Sequence, residues 1–283
     1  MIDLAQSEEK LAAVTAAPPP KGTTFWSGSW GLYTGRALVL VGFILLWQFA
    51  VQTGLASAAF ISSPAAVGAA LINLFGETDV LSHLATTAIE VIIAFAISVV
   101  LGISCAVLLD RNERLRALLS PYVSALNSMP RVALGPMFIL WFGIGMASKI
   151  VLAASLGFFI VLVSTMGGLA TVDRDMLLMS RLYGASDMRL FWYVRLPWAL
   201  PSVFAGLKLT LIYCTSGAVI GEMIAAKSGL GLLVQTFSGQ FDIASVLAVM
   251  LILIVCVVFV TTAFEWLERR LLSWAHGTTD IPG

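Results

Sequence analysis

Five stretches of this chain contain no Asp, Glu, Lys or Arg: residues 37–76, 91–109, 132–148, 150–172 and 243–264. A helix that crosses the hydrocarbon core of a bilayer needs roughly 20 mostly apolar residues. Lipid offers no partner to a free N–H or C=O, so a spanning segment is either helical or part of a closed barrel. Barrel strands alternate apolar and polar residues, and these runs do not. An all-α integral membrane protein follows. Only 11% of the 283 residues are charged, against about 25% in soluble domains. Sixteen basic residues balance sixteen acidic ones, which argues against a nucleic-acid binder.

The hydropathy pattern predicts six transmembrane helices, near 37–55, 84–109, 118–142, 149–170, 201–225 and 243–267. Residues 65–75 read as a short surface helix, 110–116 as a charged loop and 227–242 as a glycine-containing loop. The third span carries Pro121, Pro130 and Pro136, each of which removes a backbone donor and can kink a helix. A cleaved leader is the rival reading of the first run. The length of the preceding segment and its acidic residues oppose it. Cys105, Cys214 and Cys256 lie apart in apolar runs, without metal or redox spacing.

Six spans put both termini on one side, and basic residues mark the cytoplasmic side. Lys10, Lys21, Arg36, Arg111, Arg114, Arg116, Arg174, Arg181, Arg189, Arg195, Lys208, Arg269 and Arg270 fall on the side of the termini. Only Lys149 and Lys227 fall on the other, and Arg131 lies inside a span. Both termini are therefore expected in the cytoplasm. The expected organisation is a flexible cytoplasmic tail (1–35), a six-helix transmembrane domain (36–270) and a cytoplasmic C-terminal tail (271–283).

Residues 171–196 are too long and too patterned for a plain connector. A helix is predicted from Asp173 to Tyr183, closed by Gly184 in a left-handed cap. Ser186 or Asp187 can cap a second short helix, 188–194. Leu196-Pro197 and Pro201 are expected to end that helix and begin the next span. The segment then presents Arg181, Asp187 and Arg189 to the cytoplasm. A plain amphipathic anchor is the alternative reading.

This segment resembles the cytoplasmic EAA loop of permease subunits in bacterial ABC importers, whose pattern is Glu-Ala-Ala, three residues, Gly, nine residues, Ile, any residue, Leu-Pro. Gly184, Val194 and Leu196-Pro197 stand at the matching positions. Leu178-Met179-Ser180 replaces the triplet. Met129-Pro130-Arg131-Val132-Ala133-Leu134-Gly135-Pro136 with Leu140-Trp141-Phe142-Gly143-Ile144-Gly145 is similar to the third-span signature of the nitrate/sulfonate/taurine branch. Gly221-Glu222-Met223-Ile224-Ala225-Ala226 with Gly229-Leu230-Gly231 is similar to that branch's signature at the end of the fifth span. The resemblance covers about residues 37–272.

The resemblance implies a type I importer permease fold in the bacterial inner membrane and a homodimer. It also implies two cytoplasmic ABC ATPase subunits and an extracytoplasmic solute-binding protein. Residues 171–197 would be the coupling loop, with Met179, Ser180, Arg181, Gly184, Ala185, Ser186, Asp187, Arg189, Leu196 and Pro197 contacting the ATPase. The chain would bind no cofactor and no metal and would not be an enzyme, with ATP and Mg held by the partner. The residues agree that ATP is handled elsewhere. The nearest thing to a phosphate loop, 221–228, has Ala226 where glycine is required. A stand-alone secondary transporter is the rival class, but such carriers usually show internal repeats, and none is evident.

A charge at membrane depth is costly and marks a pathway or a partner. Glu90, Arg131, Met137 and Glu222 are the candidate pathway residues. Glu90 either lines a path or pairs with a neighbouring helix. Arg131 either meets an anionic solute or bonds the carbonyls freed by Pro130. Glu222 either touches solute or holds the 229–231 turn. Arg131 tilts the expected solute toward a small organic or inorganic anion.

Overall fold

The structure is a computed structural model and describes residues 29–272. The 1–28 part of the expected N-terminal tail, and 273–283 of the C-terminal one, lie outside the described residues. The chain divides into two compact units that meet at Ser57 and Ala58. The first contains helix α1 (Ser29–Gln52). Its apolar stretch has Phe43 and Trp47 rings 6.4 Å apart.

The second unit is built of helices joined by short turns. It runs α2 (Ala58–Ile61), α3 (Pro64–Glu77), α4 (Val80–Arg111), α5 (Glu113–Ser128), a 3₁₀ turn (Arg131–Leu134) and α6 (Gly135–Phe142). It continues through α7 (Met146–Ala170), α8 (Arg174–Leu182), α9 (Asp187–Leu190), a π segment (Phe191–Arg195), α10 (Leu196–Ile224), α11 (Leu230–Gly239) and α12 (Ile243–Leu271). Among the described residues, five helices are long and apolar enough to cross a membrane: 33–52, 80–111, 146–170, 187–224 and 243–271.

Local chemistry fixes these boundaries. Ser63 caps α3 by accepting from the Ala66 N–H, and Pro64 opens the first turn, where its missing donor costs nothing. Asn112 leaves helical geometry, with φ −128°, and its side chain accepts from the Leu115 N–H at 3.1 Å. One residue thus ends α4 and starts α5, so the expected 110–116 loop is a corner between two helices. Gly143, with φ +78°, ends α6.

The core is the packing of α7 against α10 and α4. Small residues let these backbones approach, as they do in membrane bundles. A Cβ at Gly157 would stand 2.6 Å from Ser98 Oγ and 2.7 Å from Cys214 Sγ, and one at Gly217 would stand 2.7 Å from Ala153 Cα. Gly217 and Gly221 both face α7, so this close approach is made within the chain. Ser98 satisfies its hydroxyl in the same layer by donating to the Ala94 and Ala154 carbonyls. The amphipathic α3 buries Val67 and Leu74 and lies on α12.

Three expectations need correction. The third span is not one helix. Pro130 lacks the N–H that would extend α5, and the chain passes through Met129-Pro130 and a 3₁₀ turn before α6. The second short helix of the 171–196 segment does not stop at Leu196-Pro197. It widens into the π segment, with the Leu196 N–H donating to the Phe191 carbonyl, and runs on into α10. A π turn gives the Pro197 ring room against the preceding turn, where an α-helix would clash. Pro201 then sits inside α10. The 227–242 stretch is not only loop, because α11 occupies most of it.

Candidate functional site

The 171–196 segment is assembled from local caps. Asp173 accepts from the Asp175 N–H at 2.9 Å and starts α8. At its end the Gly184 N–H donates to the Arg181 carbonyl (2.9 Å) and the Ala185 N–H to that of Ser180 (3.1 Å). These paired bonds form the Schellman cap, which needs a left-handed residue, and Gly184 supplies it with φ +79°. Ser186 then caps α9 through the Arg189 N–H. Arg181 and Asp187 face each other across the turn at 3.3 Å, but both are exposed, so the pair adds little.

This unit is anchored on one side and bare on the other. Leu190 and Phe191 are buried, and Phe191 clusters with Leu169, Ala199 and Val203 from α7 and α10. Arg195 meets Asp110 fork to fork at 2.6 and 2.7 Å and also donates to the Leu169 carbonyl. Such bidentate pairs fix geometry as well as charge. One guanidinium therefore joins the ends of α4, α7 and the π segment. By contrast Leu178, Met179, Leu182 and Tyr183 are exposed, the last two at 84% and 89%. Arg189 is exposed, Ser180, Ala185, Leu196 and Pro197 are half-buried, and Gly184 has open space around it.

At the opposite end of the bundle lies a buried polar cluster. Glu90 on α4 and Lys149 on α7 pair at 2.6 Å, with side chains 0% and 4% exposed. Glu222 on α10 accepts from the Thr87 hydroxyl and from the Gly231 N–H, both at 2.7 Å. The Leu230 N–H donates to Thr87 Oγ1 at 2.9 Å, and the Gly229 N–H to His83 Nδ1 at 3.0 Å. Gly221, the neighbour of Glu222, packs against the Lys149 stem, which brings the two carboxyl groups into one cluster. The cluster satisfies the backbone donors of the 229–231 turn. Gly229 is required there twice over: its φ is +125°, and a Cβ would overlap the Glu222 carboxylate.

Arg131 sits at the break in the third span. Its Nη2 donates to the Leu126 and Asn127 carbonyls and to Asn127 Oδ1, each at 3.0 Å. The Leu126 carbonyl is the acceptor that Pro130 cannot serve. The guanidinium also lies 4.2 Å from the centre of the Phe159 ring, a cation–π contact. Met137 on α6 is partly exposed. The structure thus brings Glu90 and Glu222 together and leaves Arg131 and Met137 apart from them.

Sequence reasoning missed Lys149, Thr87 and His83 as members of the cluster, and Asp110 and Arg195 as the anchor. Lys149 was counted as a basic residue beyond the membrane, whereas its side chain is buried. A polar residue flanking an apolar run was the available signal, but nothing local names its partner. Among the described residues no group of His, Cys, Asp and Glu could hold a metal ion.

Comparison with known proteins places this architecture. Residues 98–273 match the family "Binding-protein-dependent transport system inner membrane component". The chain is 31% identical to the putative aliphatic sulfonates transport permease protein SsuC of Escherichia coli, over 87% of this chain and 93% of the relative. It is also 31% identical to the formylaminopyrimidine transport permease protein ThiX of Halalkalibacterium halodurans, over 82% and 92%. Its fold resembles that of an inward-facing MetNI methionine ABC transporter chain, with TM-score 0.61 at 21% identity over 68% of this chain and 95% of that one. The chain accordingly belongs to the binding-protein-dependent inner-membrane component family and is a permease subunit of an ABC importer.

Proposed function

We propose that this permease pairs with a second copy in the bacterial inner membrane and passes a small anion inward, of the sulfonate class for which SsuC is named. In this reading both termini and the 171–197 segment are cytoplasmic, which the thirteen basic residues assigned to that side favour. The interrupted α5–α6 stretch completes a sixth crossing, because non-helical backbone is tolerated at membrane depth where protein or a water-filled cavity surrounds it. An extracytoplasmic solute-binding protein delivers the solute near the 229–231 end.

One observation carries the coupling assignment. Leu178, Met179, Leu182 and Tyr183 form an unpartnered apolar patch on a capped helix pair, while Arg195 and Asp110 tie that pair to two spans. A partner that grips the patch moves the spans with it. The partner is a cytoplasmic ABC ATPase, one for each permease copy, holding ATP and Mg. Met179, Ser180, Arg181, Gly184, Ala185, Ser186, Asp187 and Arg189 lie on or beside the gripping surface, and Leu196 and Pro197 lie at its junction with α10.

The test is a mild-detergent pull-down of the tagged chain from native membranes, followed by mass spectrometry. A stoichiometric P-loop ATPase is expected, and Met179→Asp with Leu182→Asp should release it. A clean homo-oligomer without ATPase, under conditions that preserve other importers, refutes the coupling assignment. Uptake of a labelled sulfonate, unaffected by excess formylaminopyrimidine, tests the solute class.

A further inference from the structure

A cleft of about 910 Å³ opens between the α4–α5 corner and the α8–α9 pair. Its walls carry Arg111, Arg114, Arg116, Arg181 and Arg195, with Asp110, Glu113 and Asp187. Arg195 is consumed by Asp110, and Arg181 by Asp187. Arg111, Arg114 and Arg116 have no acidic partner among the described residues, and one glutamate, Glu113, is left against them. Arg111 instead lies 5.3 Å from the centre of the Phe191 ring, with its Nη2 3.7 Å from Met188 Sδ. A guanidinium held on a ring and a thioether keeps its remaining donors open.

A second, smaller cavity shares one lining residue with the first. A groove of about 280 Å³ runs between α5 and α7, lined mainly by Leu109, Val123, Val163, Met166 and Gly167. Arg116 lines both the cleft and the groove. The cleft sits at the end of the α4 span, at headgroup depth if the bundle crosses a bilayer. The groove lies along the last two turns of α7, from Val163 to Ala170, beside the end of α4 at Leu109. Charged head space beside an apolar groove, with Arg116 lining both, fits an amphiphile with an anionic head.

We propose that the cleft and groove form a binding site for an anionic phospholipid, with the phosphate on Arg111, Arg114 and Arg116 and one acyl chain along Val123, Val163 and Gly167. Arginine matches phosphate oxygens bidentately, and basic pockets between membrane helices take anionic headgroups. A soluble phosphate would satisfy the arginines and leave the groove without an occupant. The bound lipid would touch Met188 and Phe191 and so rest against the coupling segment. Leu178, Met179 and Leu182 do not line the cleft, whereas Arg181 and Asp187 do, so the lipid site and the apolar docking patch adjoin along that edge.

The test uses the purified full chain alone, so its outcome is separate from whether an ATPase docks. Native mass spectrometry counts lipids retained from mixed micelles of phosphatidylglycerol or phosphatidylcholine. Preferential retention of phosphatidylglycerol is expected. Arg111→Gln with Arg114→Gln and Arg116→Gln should weaken it about a hundredfold, at about fivefold per basic residue. Gly167→Leu, where a Cβ meets open space, should weaken it by filling the groove without altering charge. Arg269→Gln with Arg270→Gln should leave it unchanged. Equal retention of both lipids by the unaltered chain overturns the proposal, as does equal loss from the cleft and control variants. Displacement of the lipid by millimolar inorganic phosphate, with no effect of Gly167→Leu, overturns the lipid as occupant.

Discussion

Replacing Lys149 with methionine tests the buried cluster most directly. The ammonium lies 2.6 Å from the Glu90 carboxylate, and neither side chain is more than 4% exposed. At that separation and an effective dielectric constant near 20, the attraction is about 6 kcal/mol. Desolvation of both ions takes back much of that, so the pair adds little over an apolar substitute. Removing one member is different, because it strands the other charge in the interior at a cost of about 3–5 kcal/mol. Methionine keeps the length and the apolar stem of lysine, so packing against Gly221 changes little. The expected result is a loss of about 3–5 kcal/mol in Lys149→Met, which raises the unfolded population at least about a hundredfold. Glu90→Leu combined with Lys149→Met should be markedly more stable than Lys149→Met alone. The assay is equilibrium unfolding of the full chain in mild detergent titrated with dodecyl sulfate, followed by tryptophan fluorescence. A cost below about 1 kcal/mol for Lys149→Met, or a double variant no better than the single, would show that this pair does not hold the cluster.

Two further outcomes follow from glycine positions. Gly184→Val puts a β-branched residue at φ +79° in open space, so the penalty is backbone strain of about 1–3 kcal/mol confined to the turn. Transport-coupled ATP hydrolysis should fall while bundle unfolding is unchanged, and Gly184→Asn, which tolerates the left-handed region, should restore most of it; full coupling in the valine variant would contradict the role given to the cap. Gly229→Ala meets both a positive φ and the Glu222 carboxylate, so it should destabilise the bundle by at least about 2 kcal/mol, whereas a neutral effect in the same unfolding assay would mean that the turn is not fastened by Glu222.

The parts legible in the sequence are those that local chemistry decides. The charge-free runs announced helices because lipid leaves the backbone no other partner. The α8–α9 pair was readable because Asp173, Gly184 and Ser186 act on bonds within a few residues of themselves. Arg131 could be read down to its two alternatives, since the carbonyl orphaned by Pro130 is four residues away. Partner choice across the bundle was not readable. Glu90 and Lys149 are 59 positions apart in the chain, and Asp110 and Arg195 are 85 apart, and nothing in either neighbourhood names the other. The π segment was hidden for a related reason. Pro197 looked like a stop, and only the widened turn before it lets the helix continue. In α11, glycines that suggested a loop cap a short helix instead, because Glu222 and Thr87 supply acceptors from other helices.

The unbroken run from Asp187 to Ile224 has a mechanical consequence. At about 1.5 Å per residue, its 38 residues make a rod of about 57 Å. One end carries the surface assigned to ATPase docking, and the other carries Glu222, the acceptor that fastens the 229–231 turn. A tilt of only about 5° displaces one tip relative to the other by about 5 Å over that length. Close contacts of Gly206, Gly217 and Gly221 hold the shaft against α7 beyond the π segment and Pro201. If the proposed docking holds, a small rotation at that end would reach the other end of the run as a shift larger than a hydrogen bond, without any relay of side chains between them.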